Sequence, residues 1–169
     1  MQTPSTADQT AAARLAALVD SAMDAIITVD EAQNIVLYNR AAERIFGWSA
    51  EQALGRPLGA LIPIRFRGTH AQHVRDFGAT GVSSRRMSGS QVVYGLRSDG
   101  EEFPVDASIS QLDTPEGKLF TVIMRDVTER VRTQEELASM AARASTVREE
   151  EKSRVARELH DELANRSRR

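Results

Sequence analysis

The stretch NRAAERIFGWSAEQALGRPL at residues 39–58 contains the signals for two consecutive short helices. Asn39 stands where a strand pattern changes to helical spacing, and its side-chain oxygen can accept from the free N–H groups of a helix that begins there. Gly47 suits the end of that helix, because glycine readily adopts the left-handed conformation found at helix C-termini. Ser49 and Gln52 then have the spacing of a capping box, which predicts the second helix.

The residues before this stretch predict a tail, a helix and a β-hairpin. Residues 1–10 lack periodicity and are expected to form a disordered tail. Apolar residues at three- and four-residue steps predict an amphipathic helix at 11–23, which can cover a sheet edge or dimerise. Residues 25–30 and 34–39 are rich in β-branched side chains, and the connection between them has the length of a hairpin turn.

The residues after this stretch predict a helix and three strands. An apolar stripe that includes His70 predicts a helix at 66–77 with this imidazole directed into the core. Strands are predicted at 91–97, 103–110 and 119–127, and apolar alternation in the second of them indicates one buried face. Together these elements predict an α+β fold, in which helices lie on one face of a five-stranded antiparallel sheet.

The composition excludes several classes of function. The 169 residues include no cysteine, which excludes disulfides, thiolate metal sites, iron–sulfur clusters and cysteine nucleophiles. The net charge is −2 at neutral pH, so no electrostatic signal indicates binding to nucleic acid or to an anionic membrane. No apolar run approaches the roughly 20 residues that span a bilayer. We therefore expect a cytoplasmic protein.

Residues 128–169 predict one long helix, because they contain no glycine or proline and are rich in alanine, glutamate, arginine and leucine. Apolar residues form a thin seam along it: Leu137, Met140, Ala144, Val147, Val155, Leu159 and Leu163. An isolated helix of this kind is marginally stable without a packed face. Self-association through the seam, giving a homodimer, is therefore expected.

The order of the elements resembles a PAS domain of the bacterial sensor type. Residues 39–58, RSDGEEFPVDASIS at 97–110 and MRDVTER at 124–130 carry this resemblance, which covers roughly residues 15–130. It implies a PAS sensor domain at 24–127 that detects a ligand, a redox change or light and passes the signal to a flanking helix.

The sequence DVT at residues 126–128 resembles the exit motif of that family. The resemblance implies that Asp126 and Thr128 couple the last strand to the outgoing helix. An aspartate at this position can cap the helix, and Glu129 has the spacing to complete a capping box.

The sequence EKSRVARELHDEL at residues 151–163 resembles the phosphoacceptor box of sensor histidine kinases, in the subfamily where the histidine is followed by Asp-Glu. The resemblance implies that His160 accepts the γ-phosphoryl group of ATP and that Asp161 acts as the base. His160 lies one residue past Leu159, so it is expected about 100° away from the apolar seam and exposed.

The chain then reads ANRSRR, and no Gly-rich nucleotide lid or Asn-containing ATP box follows. If the resemblance holds, phosphotransfer needs an ATPase domain in cis or in trans and a response regulator, and the sequence is a fragment or a natural truncation. The alternative is a free-standing PAS module that binds a ligand or dimerises without kinase activity. Whether the protein is an enzyme stays open at this point.

The sequence RGTHAQHVRDFGATG at residues 67–81 resembles the helix of heme-binding PAS oxygen sensors. The resemblance implies that His70 ligates heme iron and that Gln91 or Met87 lies on the other side of the iron. Cations for the propionates would be Arg75, Arg85 and Arg86. The chain departs from the pattern at Asp76, where those sensors have a basic residue. The alternative is a core histidine bonded to a backbone carbonyl, and no metal site other than heme iron is expected.

Overall fold

The computed structural model of the chain contains an antiparallel sheet, and short helices pack against one of its faces, called the inner face below. The structure describes residues 6–87 and 93–166, and side chains over 9–87 and 93–160. Gln91, one of the predicted site residues, therefore lies outside the described residues. The elements in chain order are α1 (Thr6–Ser21), β1 (Ala25–Val29), β2 (Ile35–Tyr38), α2 (Arg40–Phe46), α3 (Ala50–Ala53), two 3-10 turns (Leu58–Leu61 and Ile64–Phe66), α4 (Arg67–Ala79), β3 (Ser84–Arg86), β4 (Val93–Leu96), β5 (Glu102–Thr114), β6 (Gly117–Asp126) and α5 (Thr128–Arg166).

The sheet has the strand order β2-β1-β6-β5-β3, and β4 also pairs with β5. Strand β3 pairs with residues 108–110 of β5, and β4 pairs with residues 102–105. The other edge of β5 pairs with β6, so β3 and β4 occupy consecutive lengths of one edge. The described sheet is thus five strands wide but contains six strands.

The predicted α+β class is confirmed, whereas the predicted count of five strands is one short. The additional strand is Ser84–Arg86, whose three residues are polar and exposed. Such a segment has no alternation of apolar and polar residues, and alternation is the signal by which a strand is predicted. Its pairing comes from the free edge of β5, not from its own side chains.

The core lies between the sheet and helices α2 and α4. Alternate residues of β5 are buried, as the sequence predicted: Phe103, Val105, Ala107 and Ile109. From the helices, Phe46, Val74 and Phe77 pack against this face. The rings of Phe46 and Phe103 meet edge to face with centroids 5.4 Å apart, a favourable geometry for aromatic pairs.

The caps predicted within residues 39–58 are all present. Asn39 accepts from the backbone N–H of Ala42 at 3.0 Å and so caps α2. Gly47 ends that helix with φ of 75°, and Ser49 with Gln52 forms the capping box of α3.

Asn39 is also the buried centre of a larger network. Its Oδ1 accepts from Ile26 N at 2.9 Å. Its Nδ2 donates to Val19 O at 2.9 Å and to Asp24 O at 3.2 Å. One side chain thereby joins the end of α1, the start of β1 and the start of α2.

Helix α1 begins at Thr6, not at residue 11, so residues 6–10 are helical and not a disordered tail. Residues 6–13 contain four alanines and no glycine or proline, which favours helix despite the lack of periodicity. The apolar residues of this helix are not covered within one chain, since Leu15 is 64% and Leu18 69% exposed.

The chain separates into two compact units, of which the first ends at Thr128 and the second begins at Glu129, in the first turn of α5. This helix runs from Thr128 to Arg166 as predicted. Its seam residues that the structure describes are exposed, with Leu137 at 60% and Leu159 at 55%.

Candidate functional site

An inner cavity of about 280 Å³ lies between α4 and the inner face of the sheet. Its walls are mostly apolar and come from α2, α4, the first 3-10 turn and strands β4, β5 and β6. Pockets for drug-sized ligands have volumes of roughly 300–1,000 Å³, so this cavity suits a small molecule. We take it as the candidate binding site.

His70 lines the inner cavity, as predicted from its place on the apolar stripe of α4. Val74 and Phe77, on the same face of the helix, are each 2% exposed. Neither imidazole nitrogen of His70 makes a hydrogen bond to another described residue, so the alternative of a carbonyl-bonded histidine is not observed. Burial, together with the nearby His73, lowers the pKa of His70 below 6.5. The imidazole is therefore neutral at pH 7 and has a free lone pair.

Three further residues named from the sequence lie around β3. Met87 lines the inner cavity, and its backbone N–H donates to Ala107 O at 2.7 Å. Arg85 also lines the cavity, and its guanidinium lies 5.7 Å from the centroid of the Phe77 ring. Arg86 is exposed and lines neither this cavity nor any other pocket described here.

The other polar residues of α4 that the sequence analysis named lie in three different environments. His73 lines the inner cavity and is also exposed to solvent. Arg75 lines a separate pocket on the outside of α4. Asp76 is exposed and accepts from Gln72 at 2.7 Å. Among the described residues, no three His, Asp or Glu side chains come together as a metal site.

The exit from the sheet is built around the Asp126 carboxylate. Its Oδ1 accepts from Thr128 N at 2.9 Å and from Thr128 Oγ1 at 2.6 Å. The aspartate therefore caps the first turn of α5, as predicted. The predicted capping box is not observed, because the side chain of Glu129 contacts Arg132 instead.

Arg97 holds the other oxygen of this carboxylate, and the sequence analysis missed it. Its Nη2 lies 2.6 Å from Asp126 Oδ2, and its Nε lies 3.0 Å from Glu101 Oε2. Its Nη1 donates to Ile45 O at the end of α2. The guanidinium also stacks over the Phe103 ring, 3.8 Å from the centroid. Arg97 therefore ties together α2, β4, β5 and the exit to α5.

The Asp126 carboxyl is ionised at neutral pH because of these contacts. Burial alone would raise its pKa, but the hydrogen bonds from Thr128 and Arg97 outweigh burial and hold the pKa below 3.8. No local pattern could have paired the two residues, since they are 29 positions apart. The only signal was a lone arginine just before an Asp-Gly turn.

His160 lies on α5 with an exposed side chain, as predicted. Asp161 is part of the helix, but its side chain lies outside the described residues. Six residues earlier, Arg154 bonds Glu151 at 2.6 Å and Glu158 at 2.8 Å, which supports this stretch of helix. Over residues 6–87 and 93–166, no helix is long and apolar enough to cross a membrane.

Comparison with known proteins gives a family and two named relatives. The family described as PAS fold matches residues 13–127. The sensor protein FixL of Bradyrhizobium diazoefficiens is 33% identical over 127 residues, which are 75% of this chain and 25% of FixL. The cell-division control histidine kinase PdhS of Brucella ovis is 28% identical over 152 residues, which are 88% of this chain and 14% of PdhS.

These matches have two consequences. The chain spans a quarter or less of the length of these relatives. The match to PdhS is longer than residues 1–127, so the similarity extends into α5.

Among solved structures, the PAS domain of a protein from Colwellia psychrerythraea has a TM-score of 0.59 at 21% identity, covering 70% of this chain and 98% of that one. This similarity shows a common fold.

Proposed function

The chain belongs to the PAS family, and from that premise we propose that it is the sensory and signal-transmitting part of a two-component sensor histidine kinase. In this proposal a small molecule binds in the inner cavity beside His70. Its presence changes the exit at Asp126 and Thr128, and α5 carries the change towards His160. The relationship to FixL and PdhS supports a kinase context.

One observation carries the proposal. Met124 lines the cavity two residues before Asp126 on β6, and Gly95 of β4 lines it two residues before Arg97, which directly follows that strand. Side chains alternate across a strand, so residues two apart lie on one face. A ligand that displaces either strand therefore acts on the ion pair that caps α5.

The output side of the proposal is a homodimer of α5 that presents His160 as the phosphoacceptor and Asp161 as its base. The imidazole attacks the γ-phosphorus of ATP, ADP leaves, and the carboxylate takes the imidazole proton. ATP is held by an ATPase domain supplied in cis or in trans. A response regulator then takes the phosphoryl group, and we propose that these steps occur in the cytoplasm.

The test is phosphotransfer. The chain is incubated with the ATPase domain of a kinase of the His-Asp-Glu type and γ-labelled ATP. If the wild-type chain becomes labelled and the His160→Gln variant does not, the result supports the kinase hypothesis. No label on His160, with the same ATPase domain active on its own acceptor helix, favours the alternative of a free-standing ligand-binding or dimerisation module.

Heme is a second candidate for the ligand. His70 offers a neutral imidazole without a hydrogen-bond partner, and Met87 and Arg85 line the same cavity, so the donor set fits an iron porphyrin. The volume of about 280 Å³ fits less well, because the macrocycle would need the cavity to widen. Bound heme would supply an iron that binds a diatomic gas, with His70 holding the iron. A Soret band that disappears in His70→Ala and persists in His73→Ala would support heme, and no band after reconstitution with hemin would exclude it.

A further inference from the structure

Two hollows meet at the side chain of His70. The inner cavity and an outer pocket of about 430 Å³ share three lining residues, Leu58, Ile62 and His70. The outer pocket lies between α4 and the β1–β2 turn, and we use this name for it below. These three residues form a common wall, and a ligand that reaches both hollows would pass it from a mostly apolar cavity into a pocket that contains two arginines.

The outer pocket carries two arginines without a carboxylate partner. Arg67 donates through Nε to Ile62 O at 3.0 Å. Arg75 donates through Nη2 to Gln72 at 2.7 Å. Neither forms an ion pair with another described residue, so most of their N–H groups are available. Both side chains are exposed, and both line the pocket.

One acid lines the same pocket, and its single negative charge offsets only one of the two arginines. Glu31 lines the pocket, but its Oε1 accepts from the backbone N–H of Lys118 at 2.9 Å. The β1–β2 turn is joined to α4 by Gln33, whose Nε2 donates to Ala71 O at 3.0 Å. The pocket thus has a surplus of positive charge beside the imidazole of His70.

We infer that the ligand is an amphipathic carboxylic acid, with its apolar body in the inner cavity and its carboxylate in the outer pocket at Arg67 and Arg75. An ionised carboxylate is costly to bury in an apolar cavity. Guanidinium groups bind it with strong, charge-assisted hydrogen bonds. The inference rests on the proposed ligand-sensing function and adds the chemical class of the ligand.

The chemistry fits two sources, a straight-chain fatty acid and a porphyrin with propionates, and the experiment separates them. The whole chain is titrated calorimetrically with straight-chain acids from hexanoate to dodecanoate, with the matching alcohols, and with hemin. For the acids we expect affinity to rise about fourfold per methylene until the cavity is full. Each acid should bind about 10- to 100-fold more tightly than its alcohol.

The variant Arg67→Gln/Arg75→Gln should remove this preference and leave the affinity for alcohols unchanged. Both positions are exposed, so the variant is expected to fold. Arg86→Gln is the matched control, because Arg86 is exposed and lines neither hollow. Arg85→Gln tests the one arginine of the inner cavity.

Equal affinity for acids and alcohols would overturn the inference of a carboxylate subsite at Arg67 and Arg75. The inference would also be overturned if Arg85→Gln lost the preference for acids while the double variant kept it. Binding of hemin alone, weakened by the double variant, assigns the subsite to propionates. If the double variant binds hemin as tightly as the wild type does, the inference is overturned. It is also overturned if none of the probes binds. The phosphotransfer test uses none of these ligands, so failure here is distinguishable from failure of the proposed function.

Discussion

The guanidinium of Arg97 and the carboxylate of Asp126 are joined at 2.6 Å, and each residue follows, two positions on, a residue that lines the inner cavity. The pair is partly buried, with side chains 19% and 26% exposed. It is therefore better shielded from solvent than an ordinary surface pair, and its Asp126 also bonds Thr128, the first residue of α5.

A double-mutant cycle should detect this pair. Asp126→Ala removes the cap and one ion-pair partner, which should cost about 1 kcal/mol for the cap alone. With Arg97→Ala, the two changes should be coupled by about 0.5–3 kcal/mol in urea unfolding. Asp113→Ala is the control, because its carboxylate is 86% exposed and should contribute little. Additive effects at positions 97 and 126 would contradict the coupling.

The same cap predicts how stability depends on acid. The folded pKa of Asp126 is lower than 3.8, so its contribution to the free energy of unfolding is complete above that pH. The contribution is lost as pH falls from 3.8 through the folded pKa. The difference in unfolding free energy between wild type and Asp126→Asn should therefore be constant from pH 7 to about 5 and shrink under stronger acid. A difference that grows on acidification would have the wrong sign.

His70 predicts a second pH effect in a separate window. Its folded pKa lies below 6.5, so the unfolded chain binds the extra proton first as pH falls through 6.5. The protein should lose stability from about pH 7 downward, and His70→Gln should reduce this slope. His73→Gln should reduce the slope less than His70→Gln does, because the nearby His73 is only the second cause of the lowered pKa of His70, after burial. His73 and Arg85 line the same cavity and would oppose a charge on His70.

Asn39 should tolerate no replacement without loss of stability. It is 1% exposed, and both ends of its amide are bonded. Asn39→Asp would place an acceptor against Val19 O and Asp24 O, with a cost of about 3 kcal/mol or more for a buried, unpaired polar group. Asn39→Ala should cost less than Asn39→Asp. Urea unfolding tests this order, since Asn39→Ala should unfold at a higher midpoint concentration of urea than Asn39→Asp. The reverse order of the two midpoints would contradict the prediction.

The exposed seam of α5 predicts a dimer at micromolar concentration. Leu159→Glu should weaken association, because it places a charge in the apolar row. Glu135→Lys changes the charge on the side of the helix that faces away from the seam, at about 100° per residue, and should not weaken it. Sedimentation of wild type and both variants decides the matter. A wild type that sediments as a monomer at tens of micromolar would sink the prediction.

The sequence predicted features that depend on neighbours along the chain. The caps at Asn39, Gly47 and Ser49 need only a few residues, and the inward face of β5 needs only alternation. Three features escaped because other parts of the chain decide them. Residues 84–86 become a strand through the edge of β5. Arg97 meets its partner 29 positions away. Whether His70 bonds a carbonyl depends on packing around α4.

Residues Arg125 and Asp126 are consecutive on β6, yet they bind residues that lie far apart along the chain, before the first strand and after the last. Arg125 donates to both carboxylate oxygens of Asp24, at 2.9 and 2.8 Å, where the chain enters β1. Asp126 caps the helix by which the chain leaves. Entry and exit therefore lie side by side, since Ala25 pairs with Met124. A unit of this form can be inserted into a longer polypeptide, or duplicated in tandem, while its two connections stay close together.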